Sequence, residues 1–232
     1  MQISSKFYLK NIPKKEANNF FSKYEHLGNS GLGSWHYGLF ENDNLLSVVS
    51  YGPTCFSPKR GFLSLIAQKY NMKIIQLCRG GTKQSEHNNL PSQIVSNSLK
   101  VIRENHGNSI VIAYSDTKFN EMGTIYQACN AIYLGLTNPG GQANYLINGK
   151  IVSGWTVRKK YGTRNLDILK NLFPNIKKIP LSKKHVYIFL MTSAREKNKI
   201  QNELGNRICC YPKREKLGVG SMKKDSKALI NT

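Results

Sequence analysis

Asp116 is the residue best placed by its sequence surroundings to do chemistry. The apolar run 110–114 has the length and β-branched content of a buried strand, and Ser115-Asp116 bring the first polar side chains where it should end. A short helix is expected from near Gly123, carrying Ile125, Tyr126, Cys129 and Ala131, before a second strand over 132–136. Such a unit puts a carboxylate at a strand's carboxyl end, where ligand crevices of open α/β sheets lie, with the Tyr126 hydroxyl facing it. A carboxylate there suits general-base work. The plainer alternative makes Asp116 a loop cap and Tyr126 a packing residue. Arg79 precedes Gly80-Gly81 at the end of an expected strand over 73–78, and its guanidinium fork suits an anionic donor or a phosphate. His36, in an expected hairpin strand, is a residue type for proton transfer or for holding a metal ion, and Asp116 shares the second capacity. Tyr37 beside it points to the other sheet face if the strand is regular.

The elements that must position these residues follow from periodicity and turn chemistry. A first strand is expected over 7–9. Pro13 opens a helix to about residue 27, with Ala17, Phe20, Phe21 and Tyr24 on one stripe. A flexible Gly/Asn/Ser loop spans 28–33. A hairpin over 35–40 and 45–51 turns at 41–44, and a loop with a short helix runs on through residue 70. Residues 90–105 form a helix with Ile94, Val95, Leu99 and Ile102 inward, and 143–147 a further strand. The order predicts a mixed α/β sheet. Beyond it, 165–173 and 193–204 read as helices, 185–191 as a strand, Cys209-Cys210 as an apolar strand pair, and the tail from residue 218 as disordered.

Charge narrows the partner. The 232 residues carry a net charge of +21, and residues 151–232 hold 19 basic against 5 acidic side chains. Such self-repulsion points to a polyanion, with nucleic acid ahead of a membrane surface. Arg158, Lys159, Lys160, Arg164, Lys183 and Lys184 stand near Trp155, Tyr161 and Tyr187, a mixture suited to phosphate contacts and base stacking. No apolar run approaches the length of a membrane span, and the N-terminus lacks the apolar core of a signal peptide. Five cysteines without a C-x-x-C pair argue against a disulfide framework or zinc site and suit a reducing cytoplasm.

Four pieces of sequence, taken in order, resemble a known family. They are Ser34-Trp35-His36-Tyr37-Gly38, Leu77-Cys78-Arg79-Gly80, Asn89-Leu90-Pro91-Ser92-Gln93-Ile94-Val95-Ser96, and Tyr114-Ser115-Asp116 followed by Gly123-Thr124-Ile125-Tyr126-Gln127-Ala128. Together they resemble the Mom proteins of phages and prophages over residues 34–150, with a weaker similarity on to Tyr211-Pro212-Lys213. The resemblance implies a GNAT acyltransferase-like mixed central sheet flanked by helices, followed by a basic C-terminal extension. It implies transfer of a small methylcarbamoyl (acetamido-type) group to N6 of adenine in DNA, which protects phage DNA from host restriction in the bacterial cytoplasm.

Carried over residue by residue, the site comprises His36, Tyr37, Arg79, Ser92, Asp116 and Tyr126. Asp116 would act as base on the adenine amino group, and Tyr126 would orient it or protonate a leaving group. Ser92 would meet an anion in the first turn of a helix, or simply cap it. One departure concerns the donor: segment 79–89 is longer than the coenzyme A loop of acetyltransferases and lacks its glycine spacing. The donor is therefore left open between acyl-CoA and aminoacyl-tRNA, and tRNA joins DNA as a candidate partner. The expected division is a catalytic core over 1–150, a basic extension over 151–217 that completes the domain, and a tail over 218–232. Two other classes stand beside this reading: a catalytically inactive nucleic-acid-binding protein of the same fold, and an N-acetyltransferase using acetyl-CoA.

Overall fold

In the computed structural model, residues 6–25, 27–54, 61–84, 87, 89–140 and 142–213 are described. The elements in chain order are β1 (Phe7–Asn11), α1 (Lys14–Tyr24), β2 (Trp35–Glu41), β3 (Asn44–Pro53), α2 (Phe62–Lys69), β4 (Lys73–Thr82), α3 (Leu90–His106) and β5 (Ser109–Asp116). They continue with α4 (Thr124–Ala128), β6 (Ile132–Leu136), β7 (Ala143–Ile147), β8 (Lys150–Ser153), α5 (Gly154–Tyr161), α6 (Leu166–Leu172), β9 (Lys177–Pro180), β10 (Lys184–Met191) and α7 (Ala194–Leu204). Among the described residues seven strands form a central mixed sheet in the order β1-β2-β3-β4-β5-β10-β6, flanked by helices, the α/β arrangement that the sequence led us to expect. Among the described residues of this sheet, only the β4–β5 pair is parallel.

Alternation along the strands sends successive side chains to opposite faces, so each strand feeds two cores. On one face α3 and α4 cover Tyr37, Val49, Tyr51, Leu77, Val111 and Ala113. On the other, α1 packs over Phe40 and Val48, and α2 and α7 over Ile110, Ile112 and Ile188. Fully buried side chains such as Leu39, Ile94 and Ile188 contribute roughly 1.5–3 kcal/mol each by leaving water.

Several elements differ from the sequence expectation. Helix α1 stops at Tyr24, because Glu25 is extended and its amide closes the last turn on the Phe21 carbonyl. Strand β4 runs on to Thr82, so Arg79-Gly80-Gly81 lies within a strand paired to β3. Cys209 and Cys210 are exposed and outside any strand. Strand β8 follows a hairpin turn at Asn148-Gly149, whose positive φ values of 50° and 75° suit the twist of two-residue hairpins. Strands β7, β8 and β9 form a second, three-stranded sheet with α5 and α6 packed around Tyr145, Val157 and Leu169. Residue 150 thus falls inside the β7–β8 hairpin, and β10 returns to the central sheet between β5 and β6. The tail over 218–232 lies outside the described residues.

Candidate active site

The central sheet opens between β4 and β5. β4 and β5 pair from Lys73↔Ser109 to Gln76↔Ile112 and then part, β4 staying with β3 and β5 with β10. Past that point, the edges of β4 and β5 that face each other have no ladder partner among the described residues. The split joins the two faces of the sheet, and the candidate residues are distributed around it.

On the face covered by α1, α2 and α7, cross-strand pairing aligns His36, Ser50 and Arg79 in one row over β2, β3 and β4. His36 is 4% exposed, and its Nδ1 lies 2.7 Å from the Ser50 Oγ. Burial lowers its pKa, with the charge of Lys14 adding to the effect. Arg79 donates from Nη1 to the Cys78 carbonyl at 2.7 Å. Three buried polar atoms gather here without a hydrogen-bond partner among the described residues: His36 Nε2, Arg79 Nε and Ser30 Oγ. The loop expected to be flexible covers them. Ser30 is 1% exposed, its amide bonded to Asn18 Oδ1, and a Cβ on Gly33 would lie 3.0 Å from the His36 ring. Gly52 seats this loop, since a Cβ there would come within 2.3 Å of the Leu32 carbonyl oxygen. Unpaired buried polar atoms are costly, and these three lie close together on one side of the sheet.

Asp116 shares this face, because Tyr114 two residues earlier packs with Ile110 and Ile112. Its Oδ1 accepts the Lys118 amide at 2.9 Å, and its Oδ2 lies 4.0 Å from Lys184 Nζ. Asp116 is therefore the loop cap of the plainer reading, with its second oxygen turned toward a lysine. Its neighbour Ser115 points to the opposite face, where its buried Oγ has no partner among the described residues.

On the α3/α4 face, Tyr126 packs against Tyr187 and Phe189, with ring centroids 5.5 and 6.4 Å away. Its hydroxyl meets the Tyr114 carbonyl at 3.5 Å. Burial drives its pKa far above that of a free phenol, and Glu121 adds to the rise while Arg79 opposes it. The phenol therefore keeps its proton at neutral pH. Asp116 and Tyr126 do not face each other, contrary to expectation: the pleat of β5 puts the carboxylate on one side of the sheet, and α4 sits on the other. Ser92 lies in the first turn of α3 and donates its hydroxyl to the Asn89 carbonyl at 2.9 Å, while its own carbonyl accepts from Cys129 Sγ at 3.3 Å. Tyr37 is 2% exposed and packs edge-on against Tyr51, 6.1 Å away, two strands from the split. It belongs to the core rather than beside His36.

The profile of the Mom protein family matches residues 6–213. The chain belongs to that family. Membership in the Mom family supports a DNA-modifying transferase, the class to which the sequence motifs pointed. A search of curated proteins finds no match. Among solved structures, the chain is similar to a mutant spermidine N-acetyltransferase from Vibrio cholerae (8% identity, 85% of this chain and 99% of that one, TM-score 0.47). It is also similar to a mutant agmatine N-acetyltransferase in its apo form (9%, 80% and 100%, 0.46) and to a Bacillus subtilis acetyltransferase in complex with CoA (10%, 80% and 97%, 0.43).

Two of the Mom-motif residues were candidates for a metal. His36 and Asp116 stand on strands separated by β3 and β4, roughly 14 Å or more at one strand spacing each. They cannot ligate one ion together, and among the described residues no group of three or more His, Cys, Asp or Glu gathers to hold one. The basic candidates divide as well. Arg158, Lys159 and Lys160 are exposed on α5 of the small sheet, with Lys159 Nζ 5.2 Å from the Trp155 ring. Lys183 stands instead just before β10, and Lys184, its first residue, lies beside Asp116. Arg164 donates from Nε to the Gly154 carbonyl at 2.8 Å, which ties down the start of α5. Among the described residues no helix is long and apolar enough to cross a membrane.

Sequence reasoning passed over Ser30, Ser50, Ser115 and His185. His185 faces Ser115 across β5–β10, and its Nδ1 lies 2.8 Å from the Tyr133 hydroxyl. Small hydroxyl residues inside strands carry no pattern of their own, and only cross-strand register reveals what they meet.

Proposed function

We propose that this Mom-family protein transfers a small methylcarbamoyl (acetamido-type) group to N6 of adenine in DNA and so protects that DNA from restriction. The observation that carries the reading is the β4–β5 split, with a carboxylate on one side of the sheet and a desolvated phenol on the other. The unpaired backbone edges of the split suit a donor chain that carries amides, and acyl-CoA or aminoacyl-tRNA would each bring one. The donor enters from the α3 side, where amides at the start of a 17-residue helix attract anions. Adenine comes from the face of Asp116. As N6 attacks the transferred carbon, a C–N bond forms and the bond to the leaving group breaks. Asp116 takes the proton from N6, and Tyr126 supplies one to the leaving group. Arg79, half-buried and with no partner at Nε among the described residues, binds an anionic part of the donor or a DNA phosphate.

The duplex, or a tRNA donor, is held by the exposed cations of α5 and by Lys183 and Lys184. Trp155, 65% exposed, offers a stacking face. Because N6 is paired inside a duplex, the adenine must leave the stack or already be single-stranded. Mass spectrometry of nucleosides from bacterial DNA, with the protein or its Asp116→Asn variant expressed, tests the proposal. A new deoxyadenosine adduct with the first and none with the second is expected. Unmodified DNA in the presence of folded protein would refute catalysis and leave nucleic-acid binding as the function.

A further inference from the structure

The face that carries Asp116 also holds a cavity of about 520 Å³, lined among others by Phe62, Ser64, Tyr114, Leu134, Asn206 and Arg207. That is within the usual size range of small-ligand sites. Its walls are apolar, from Ile112 and Tyr114 of β5 and Leu134 of β6, and its rim is polar. The Arg207 guanidinium lies 4.1 Å over the Phe62 ring, so a planar cation and two aromatic side chains border one space. Asp116 stands two residues beyond Tyr114 on the same face, about 7 Å further along the strand, and Lys184 stands beside it.

We propose that this cavity receives the adenine base once it has left the helical stack. The inference rests on the DNA-modifying reading and names where its acceptor sits. A purine has two flat faces and an edge of alternating donors and acceptors. Aromatic and guanidinium planes bind the faces, and the side chains of Ser64 and Asn206 meet the edge. The base lies with its amino group toward the carboxyl end of β5, so that N6 reaches Asp116 and the split. Lys184, beside Asp116, takes a flanking phosphate. The donor then approaches through the split from the α3 side, and the two substrates meet across the sheet without competing for one space.

The experiment uses two single-stranded thymidine nonamers, one with a central deoxyadenosine and one with a central abasic site, followed by fluorescence anisotropy. The full chain should bind the adenine oligonucleotide about tenfold more tightly, the range of one stacked base. Leu134→Trp fills the cavity, and Arg207→Ala removes the exposed stacking plane with little risk to the fold. Both should abolish the tenfold preference while still binding the abasic oligonucleotide. Preference retained in both variants would place the base elsewhere and overturn the proposal. Equal binding of both oligonucleotides by the unaltered protein would overturn it too, leaving the DNA-modifying reading in place. Binding of neither would bring down both.

Discussion

Replacing Tyr126 by Phe separates chemistry from packing more cleanly than any other single change. Among the described residues its hydroxyl makes one hydrogen bond, to the Tyr114 carbonyl, at the 3.5 Å limit. Deleting it should cost below about 0.5 kcal/mol, and at about 2–4 °C per kcal/mol for a chain of this size the melting temperature should fall by no more than about 2 °C. Tyr187 is the control on the same face. Its hydroxyl donates to the Met122 carbonyl and accepts from Gln127 Nε2 at 3.0 Å, so Tyr187→Phe strips two partners at once. That loss should cost about 2 kcal/mol, or about 4–8 °C. Activity should run in the opposite order. A proton donor to the leaving group is worth about 10²–10⁴ in rate, so Tyr126→Phe should suppress adduct formation by at least a hundredfold in an otherwise stable protein. The assay is a time course of modified deoxyadenosine after induction, with melting of each purified variant followed by near-UV circular dichroism. Adduct formation within threefold of the unaltered protein would refute the proton-donor role. A melting loss equal to that of Tyr187→Phe would refute the packing argument.

Three further outcomes follow from the same geometry. Burial lowers the pKa values of His36, His106 and His185, so the unfolded chain binds protons more readily. Their stabilisation is complete above about pH 6.5 and is lost as pH falls through the folded values; melting at pH 7.5, 6.5 and 5.5 should show the decline, and it should be shallower in His36→Gln. Replacing Arg158, Lys159 and Lys160 together by Ala should leave the melting temperature within about 2 °C, weaken DNA binding, and reduce the slope of log K against log salt by about 2–3; an unchanged slope would move the interface elsewhere. Gly52→Ala should destabilise the protein by more than about 2 kcal/mol, read by urea unfolding, because a Cβ would be driven into the Leu32 carbonyl; a loss below about 0.5 kcal/mol would show that the loop over His36 and Arg79 yields easily.

Much of the chain is legible in its amino-acid order. Runs of β-branched residues, helical stripes and Gly or Asn turns are local signals, and they place the 35–40/45–51 hairpin, the helix from residue 90 and the strand–helix–strand unit around Asp116. The Asn148-Gly149 turn is an equally local signal for β8, one that the expected elements left out. The four ordered motifs are sufficient to indicate the family. Tertiary structure decided which of those residues share a space. Alternation says that Ser115 and Asp116 point apart, but only the packing of α4 says which of them accompanies Tyr126. The insertion of β10 between β5 and β6 is a long-range pairing that leaves no mark in local composition, and it brings Lys184 to Asp116 and His185 to Ser115. The same holds for the row of His36, Ser50 and Arg79, three residues far apart in sequence and aligned by register alone. Local propensity determined the elements and the kinds of chemistry on offer. Register, the β4–β5 split and the side each helix covers determined where that chemistry can happen, because a pleated strand serves two faces and only its neighbours choose between them.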